Sequence, residues 1–303
     1  MWDVIRLPLV EIIVVGAVCG LVGGFAVLRG RVFFAESITH ATFPGAVLGV
    51  VVAGALTSDQ RVLSLWLLVG AMAMCLPLAV LMRALTRIPE LSGQAAAGIV
   101  LTLGFALGYF LDRWFSPLPL HVDGFLTGAL LHVNGVDLAA AVVVLAAVLL
   151  VTCGQGHRII LRCFDADGAR AAGVRGGAVD LLVLAMILVT VVVIIPAVGT
   201  VLSIALVAAP AASLRRLVDS PTTLLVASPV AGACIGVAGL LVAVGADLSA
   251  CGTIAVLAGV FHVTCRALGA VGPRSWRGGS LSAPARSQYP SRASGSPSAG
   301  GPR

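Results

Sequence analysis

Residues 180–214 read DLLVLAMILVTVVVIIPAVGTVLSIALVAAPAASL. After Asp180 no charged residue appears until Arg215. A bilayer-spanning helix needs about 20 consecutive apolar residues. Pro196 and Gly199 interrupt this stretch near its middle, which divides it into two apolar segments, 180–196 and 198–214. Proline removes a backbone donor and glycine admits a turn. Two readings are open: two short helices joined by a tight turn, or one broken helix with a re-entrant piece. Either one places the segment in a membrane.

The rest of the chain agrees. It has 303 residues, of which 59% are hydrophobic and only 11% charged, where a soluble domain carries about 25% charged residues. Mean hydropathy is +1.08. Further apolar runs lie at 8–28, 36–56, 62–82, 95–111, 138–153, 222–245 and 253–268. They are continuous rather than alternating, which excludes a barrel. A helix satisfies its backbone within itself, as hydrocarbon requires. The expected fold is all-α and polytopic, with about eight or nine transmembrane helices over residues 1–270. The run Leu7 to Leu28 is too long for a signal-peptide core and is read as a retained span.

Residues 271–303 are rich in Gly, Ser, Pro and Arg and carry no acid. Such a segment buries too little apolar surface to order itself, so a disordered basic cytoplasmic tail is expected there. The net charge is +6 and every basic residue is arginine. Nucleic-acid binding is not the reading, because topology explains the arginines. With the N-terminus outside, 16 of the 19 fall on the inner side or in the tail, leaving Arg6, Arg61 and Arg113 outside. The positive-inside rule selects this orientation, with a cytoplasmic C-terminus and an odd number of crossings. Seven cysteines are scattered through apolar runs with no CxxC pair, and a disulfide framework or cysteine metal site is not expected.

Two polar islands interrupt the apolar pattern. The first is AESITHATFPG, residues 35–45. An ionisable group inside a span costs roughly 2.5–3.5 kcal/mol on insertion scales, so it is a functional candidate. Glu36 and His40 share one helix face, about 5–6 Å apart at Cβ, and their side chains can converge on one divalent cation. Carboxylate and imidazole both suit zinc and tolerate manganese. Thr39 and Thr42 add hydroxyls, while Pro44 and Gly45 break the helix, a device that exposes carbonyls to ions in transporters. Two other readings stay open: a Glu–His pair that only locks the helix, or Glu36 at the inner headgroups beside Arg29 and Arg31.

The second island is the inner loop 154–179. Within it Phe164 to Gly173 reads as a short helix. Asp165 caps it, Asp167 sits in its first turn, and Gly173 ends it. Small alanines, Ala169 among them, would present a face to a partner's groove. On the outer side His121 and Asp123 form a possible vestibule for cations. Asp180 suits a helix N-terminus, and His262 in the last span reads as a packing histidine. The spacings Gly16-x3-Gly20-x3-Gly24 and Gly232-x3-Gly236 read as close helix packing.

These islands, in this order, resemble the integral-membrane permease of the zinc/manganese/iron ABC importers. AESITHATFPGAVLGVV is similar to that family's G-D-A-L-S-H-A-x-L-P-G-x-A-L stretch. QAAAGIVLTLGFALG is similar to its D-A-A-I-G-I-x-F-x-x-x-x-A-L-G stretch. FDADGARAAGV resembles its cytoplasmic F-D-x-E-x-A-x-x-x-G-[LV] motif, and VGTVLSIALVAAPAASLRRL its V-G-x-L-L-V-x-A-L-L-x-x-P-A-A-x-A stretch. The match runs over about residues 8 to 268.

The resemblance implies the ABC importer permease fold and a homodimer with a pore between two copies. It also implies two cytoplasmic ATPase subunits docked at 164–173, through Phe164, Asp165, Asp167, Ala169 and Gly173, and an extracellular or periplasmic metal-binding protein. The family's Asp and His fall on Glu36 and His40, which are the implied metal path. The chain departs from the pattern in having Glu36 for Asp, Gln94 for an acid, and Gly168 near the usual second acid.

The expected function is that of a transporter subunit in the cell membrane, not an enzyme. It holds no tight cofactor and moves zinc or manganese. The sequence has no G-x-x-x-x-G-K-[ST], so ATP hydrolysis belongs to another subunit. It has no H-E-x-x-H, which removes a zinc protease. The alternative is a self-contained proton-coupled transporter or channel.

Overall fold

The structure, a computed structural model, describes residues 2–57, 59–118, 128, 130, 133, 135–174 and 176–271. Met1–Val271 is one compact unit; the expected tail, Gly272–Arg303, lies outside the described residues.

Among the described residues there are ten α-helices and no strand. They are α1 (Trp2–Leu28), α2 (Val32–Ala41), α3 (Phe43–Gly54), α4 (Gln60–Leu85) and α5 (Gly93–Trp114), then α6 (Gly135–Phe164), α7 (Ala166–Ala171), α8 (Gly176–Leu214), α9 (Pro221–Ala246) and α10 (Ala250–Val271). Eight segments are long and apolar enough to cross a bilayer: α1, α2 joined to α3, α4, α5, α6, α8, α9 and α10. The expected all-α polytopic fold is what the chain adopts.

Capping signals set several helix starts. The Ser92 hydroxyl accepts the Ala95 N–H at 3.1 Å and opens α5. Ser220 accepts the Thr223 N–H at 3.0 Å and, with Pro221 behind it, opens α9. Each satisfies one orphan amide of a helix N-terminus.

The most buried span is α1, and the least buried is α6. Hydrophobicity does not separate them, because lipid is as apolar as a protein core. Small residues do, because they let backbones approach. A Cβ on Gly16 would lie 2.6 Å from the Gly232 carbonyl oxygen, and one on Gly236 would lie 2.7 Å from the Ile12 side chain. The two glycine spacings seen in the sequence therefore mate α1 with α9. Gly232→Leu is expected to lower the melting temperature in detergent by several degrees or to abolish the monodisperse species, since overpacking costs about 1–3 kcal/mol even where side chains can yield. Fluorescence-detected size-exclusion chromatography after heating checks this. A wild-type profile would remove the close-contact argument.

The 39-residue α8 is not one rod. Straight, it would be about 58 Å long, roughly twice the hydrocarbon core. Gly199 has φ 77°, ψ 169°, and breaks it. Near its start Asp180 is ion-paired with Arg29; just past its end Arg215 donates to the Val27 carbonyl at 3.4 Å. Both ends of α8 therefore meet the same end of α1, and the chain doubles back at Gly199. Gly128, from the segment before α6, packs on Val198 and Gly199 at the opposite end. Gly269 of α10 faces Arg216 and Leu217. Arginines 29, 215 and 216 thus collect at one end of the bundle. Gly199→Val is expected to reduce folded yield several-fold, because a β-branched residue at this φ is strained. Gly199→Asn is expected to fare no better, because asparagine tolerates positive φ in the left-handed helical region and not at ψ 169°.

The polar loop expected at 154–179 is shorter than the sequence suggested. Helix α6 continues to Phe164, with Ile159 fully buried, so the connection is confined to 165–175. Nothing between 154 and 164 breaks a helix by lacking a donor, and the arginines there extend from a continuous helical surface.

Candidate functional site

Helix α2 carries the first island. Ala35, Ser37, Ile38 and Thr39 are buried, while Glu36 and His40 are half-buried on the same face, one turn apart. A carboxylate and an imidazole therefore share a face of α2 that the rest of the chain leaves partly open. No cluster of three or more His, Cys, Asp or Glu is found among the described residues.

The hydroxyls read as extra donors have other partners. Thr39 Oγ1 donates to the Ala35 carbonyl at 2.7 Å and Thr42 Oγ1 to the Thr39 carbonyl at 3.0 Å; both residues are fully buried. They serve the helix backbone instead of facing an ion.

The expected break lies at Thr42, not at Gly45. Thr42 has φ −77°, ψ −15°, and separates α2 from α3 while keeping a helical direction. Pro44 enters the first turn of α3 and has no N–H. The carbonyl four residues earlier, that of His40, therefore loses its regular donor. The Thr42 N–H meets the Ile38 carbonyl at 3.0 Å. Gly45 is helical, and any side chain there would strike the Gly70 backbone of α4 and the Met74 side chain. Its job is close packing, not unwinding.

Helix α5 backs the site. The Ser37 hydroxyl donates to the Ala97 carbonyl at 2.8 Å and also reaches the Phe33 carbonyl at 2.8 Å. Gly104 rests on Ala41, and Gly108 on the Phe43 ring and Pro44. Phe105 meets His40 edge to face, with centroids 5.9 Å apart and planes at 84°, and stacks on Phe43 at 6.3 Å and 25°. The sequence reading did not single out Phe105. A phenylalanine in an apolar span carries no signal by itself, and its meaning comes from a contact across 65 residues.

At the other island, α7 forms where the sequence placed a short helix. The Asp165 carboxylate accepts the Gly168 N–H at 2.7 Å. Gly173 has φ 75°; its N–H meets the Arg170 carbonyl at 3.0 Å, and the Val174 N–H meets Ala169 at 2.9 Å. This pair of bonds is the Schellman ending that glycine favours. Asp167 is exposed and pairs with Arg170 at 2.8 Å. Phe164, at the end of α6, is 57% exposed. Ala169 is fully buried, so it packs inward and is not on a partner-facing surface. The exposed alanines are Ala171 and Ala172.

Asp180 does more than sit near a helix start: it binds Arg29 and ties α8 to the end of α1. His262 pairs through Nδ1 with the Ser213 hydroxyl at 3.0 Å, joining α10 to α8. His121 and Asp123 lie outside the described residues.

One buried acid was passed over in the sequence. Glu11 of α1 is 1% exposed, and its Oε2 has no hydrogen-bond partner among the described residues. The signal was present, since the insertion cost that marks Glu36 applies equally to a lone acid in the first apolar run. Glu11→Gln is expected to leave the melting temperature at or above wild type, because an unpaired buried charge is removed with little change of shape. A drop of several degrees would mean that the carboxylate holds something the amide cannot.

Comparison with known proteins adds a consistent finding. The model of the family described as "ABC 3 transport family" matches residues 1–268. The manganese transport system membrane protein MntD of Bacillus subtilis (strain 168) is 29% identical over 267 residues, covering 83% of this chain and 88% of that protein. The zinc transport system membrane protein TroC of Treponema pallidum (strain Nichols) is 28% identical over 242 residues, covering 78% and 79%. Among solved structures, PsaBC from Streptococcus pneumoniae in complex with Fab matches with a TM-score of 0.75 at 26% identity, over 86% of this chain and 90% of that chain.

Proposed function

Because the chain belongs to the ABC 3 transport family and is a multi-span permease subunit of an ABC-type metal importer, we propose that it passes a divalent cation, zinc in preference to manganese or iron, along Glu36 and His40. The observation that carries this is the pair itself: a carboxylate and an imidazole one turn apart, half-buried on an open face of a membrane helix. Two ligands do not enclose an ion. Two copies of the chain supply four, which fits the tetrahedral preference of zinc, and this supports a homodimer with the pore between the copies. The relatives named for manganese and for zinc are almost equally similar. The preference for zinc therefore rests on the count of four ligands from two copies, which suits a tetrahedral ion.

Energy comes from separate ATPase subunits docked on the inner face at residues 164–173. A metal-binding protein delivers the cation from outside. The N-terminus is outside and the C-terminus cytoplasmic, because the bundle end that gathers Arg29, Arg215 and Arg216 is then the positive inner one. The doubling back of α8 at Gly199 agrees with an odd number of crossings. In the cycle, ATP binding draws the two α7 segments together, the spans rock, the cation passes the two Glu36/His40 pairs, and hydrolysis resets the inner side.

Proteoliposomes holding the permease with its ATPases decide the energy source. Labelled zinc is expected to enter only with ATP on the α7 side and a metal-loaded delivery protein on the other. A proton gradient alone is expected to drive none. Zinc flux under a proton gradient without the ATPases would replace this reading with a secondary transporter.

A further inference from the structure

We propose that Phe105 is a positioning residue for the cation path: its ring, stacked on Phe43, fixes the orientation of the His40 imidazole. The inference rests on the reading of Glu36 and His40 as that path. A metal-binding histidine is ordinarily oriented by a hydrogen bond to the ring nitrogen that does not hold the metal. His40 has no such support, since its buried Nδ1 has no hydrogen-bond partner among the described residues. The ring contact it does have is Phe105, edge to face at 5.9 Å and 84°.

The placement of Phe105 is itself over-determined. Stacking on Phe43, which is 2% exposed, holds one side of its ring. One residue before it, Gly104 seats α5 directly on Ala41, the neighbour of His40. Three residues after it, a Cβ on Gly108 would strike the Phe43 ring and come 3.0 Å from the Pro44 nitrogen. The Ser37 hydroxyl anchors α2 to α5 two turns earlier, at Ala97. Phe105 is thus clamped in register against the imidazole while 38% of it stays exposed on the open side. An edge-to-face pair restricts the tilt of a ring without supplying a donor or an acceptor. Aromatic packing then does what a hydrogen bond from a carboxylate or carbonyl to the buried Nδ1 usually does.

The test is equilibrium binding of labelled zinc to the purified permease–ATPase complex, with uptake measured on the same variants. Phe105→Ala is expected to raise the Kd about two- to tenfold, the range an aromatic pair accounts for. Phe105→Tyr, which keeps the ring, is expected to restore wild-type affinity, and Phe105→Leu, which keeps most of the volume, is not. If Phe105→Ala does not reach the membrane, the Tyr and Leu pair decides alone. Equal affinity in those two, or wild-type affinity in Phe105→Ala, overturns the assignment. His40→Ala separates the two levels. If it binds and transports like wild type, the cation path and the Phe105 role both fall. If it is inactive while Phe105→Ala retains wild-type affinity, only the Phe105 role falls.

Discussion

Cells whose only copy of the permease carries His40→Ala or Glu36→Gln are expected to lose labelled zinc uptake by about 100-fold or more, since removing outer partners of metal ligands alone costs about 10–100-fold. Glu36→Gln is the sharper of the two. It preserves shape, so a helix-locking role for the pair predicts near-normal uptake, while a cation path predicts loss. Both side chains are half-buried, and neither substitution opens a large sealed cavity, so membrane abundance should stay near wild type. Glu36→Asp has a different expected result. The resemblance places an aspartate at this position, so transport survives. The ligand arm is one methylene shorter, and the ratio of zinc to manganese uptake shifts. Competition of each unlabelled metal against labelled zinc, in the three variants at matched expression, checks the set. Wild-type uptake in both His40→Ala and Glu36→Gln would falsify the site.

Much of the fold could be read from local patterns. Residues 180–214 announced a broken apolar segment because charge, proline and glycine are visible in one window, and the break is at Gly199. That α1 and α9 each pack closely was legible in the glycine spacings, because close helix approach in lipid depends on small residues more than on greasiness; that they pack on each other came from the structure. Asp165 and Gly173 marked α7 because caps act within three or four residues. Glu36 and His40 stood out as a candidate site, since an acid and an imidazole in a span carry a large insertion cost.

What was not legible depends on long-range contacts. The fate of the Thr39 and Thr42 hydroxyls turned on competition with nearby carbonyls, which composition does not reveal. Gly45 looks like a helix breaker in sequence, yet it is a contact surface because α4 brings Gly70 against it. Ala169 looked outward-facing until the turn of α7 buried it. The pairing of Asp180 with Arg29 and the clamp of Phe105 on His40 join residues far apart in the chain, and no periodicity encodes either.

Gly173→Val, Asp165→Ala and Phe164→Ala are expected to separate ATP hydrolysis from transport while leaving zinc binding intact. A six-residue helix does not hold itself in water, since isolated helices shorter than about 12–15 residues are marginal. Its shape is set by its two ends. Losing the Asp165 cap costs about 1 kcal/mol, and forcing a β-branched residue to the left-handed angle of Gly173 costs at least about 1–2 kcal/mol. The Asp167–Arg170 pair is exposed and worth less than either. Asp165 and Gly173 are exposed, so these energies act on the local segment and not on the buried bundle. Phe164 adds a contact of another kind. An aromatic ring left 57% exposed beside α7 has the chemistry of an interface hot spot, where truncation costs about 2 kcal/mol or more, roughly 30-fold in affinity. Phe164→Ala is therefore expected to reduce co-purification of the ATPase subunits, whereas Gly173→Val leaves them bound with ATP turnover that no longer depends on loaded delivery protein. Uptake falls about tenfold or more in both, with the Kd for zinc unchanged. Normal uptake in all three variants would show that 164–173 is not where the ATPases dock, and a parallel loss of zinc binding would show that the substitutions act through the bundle instead.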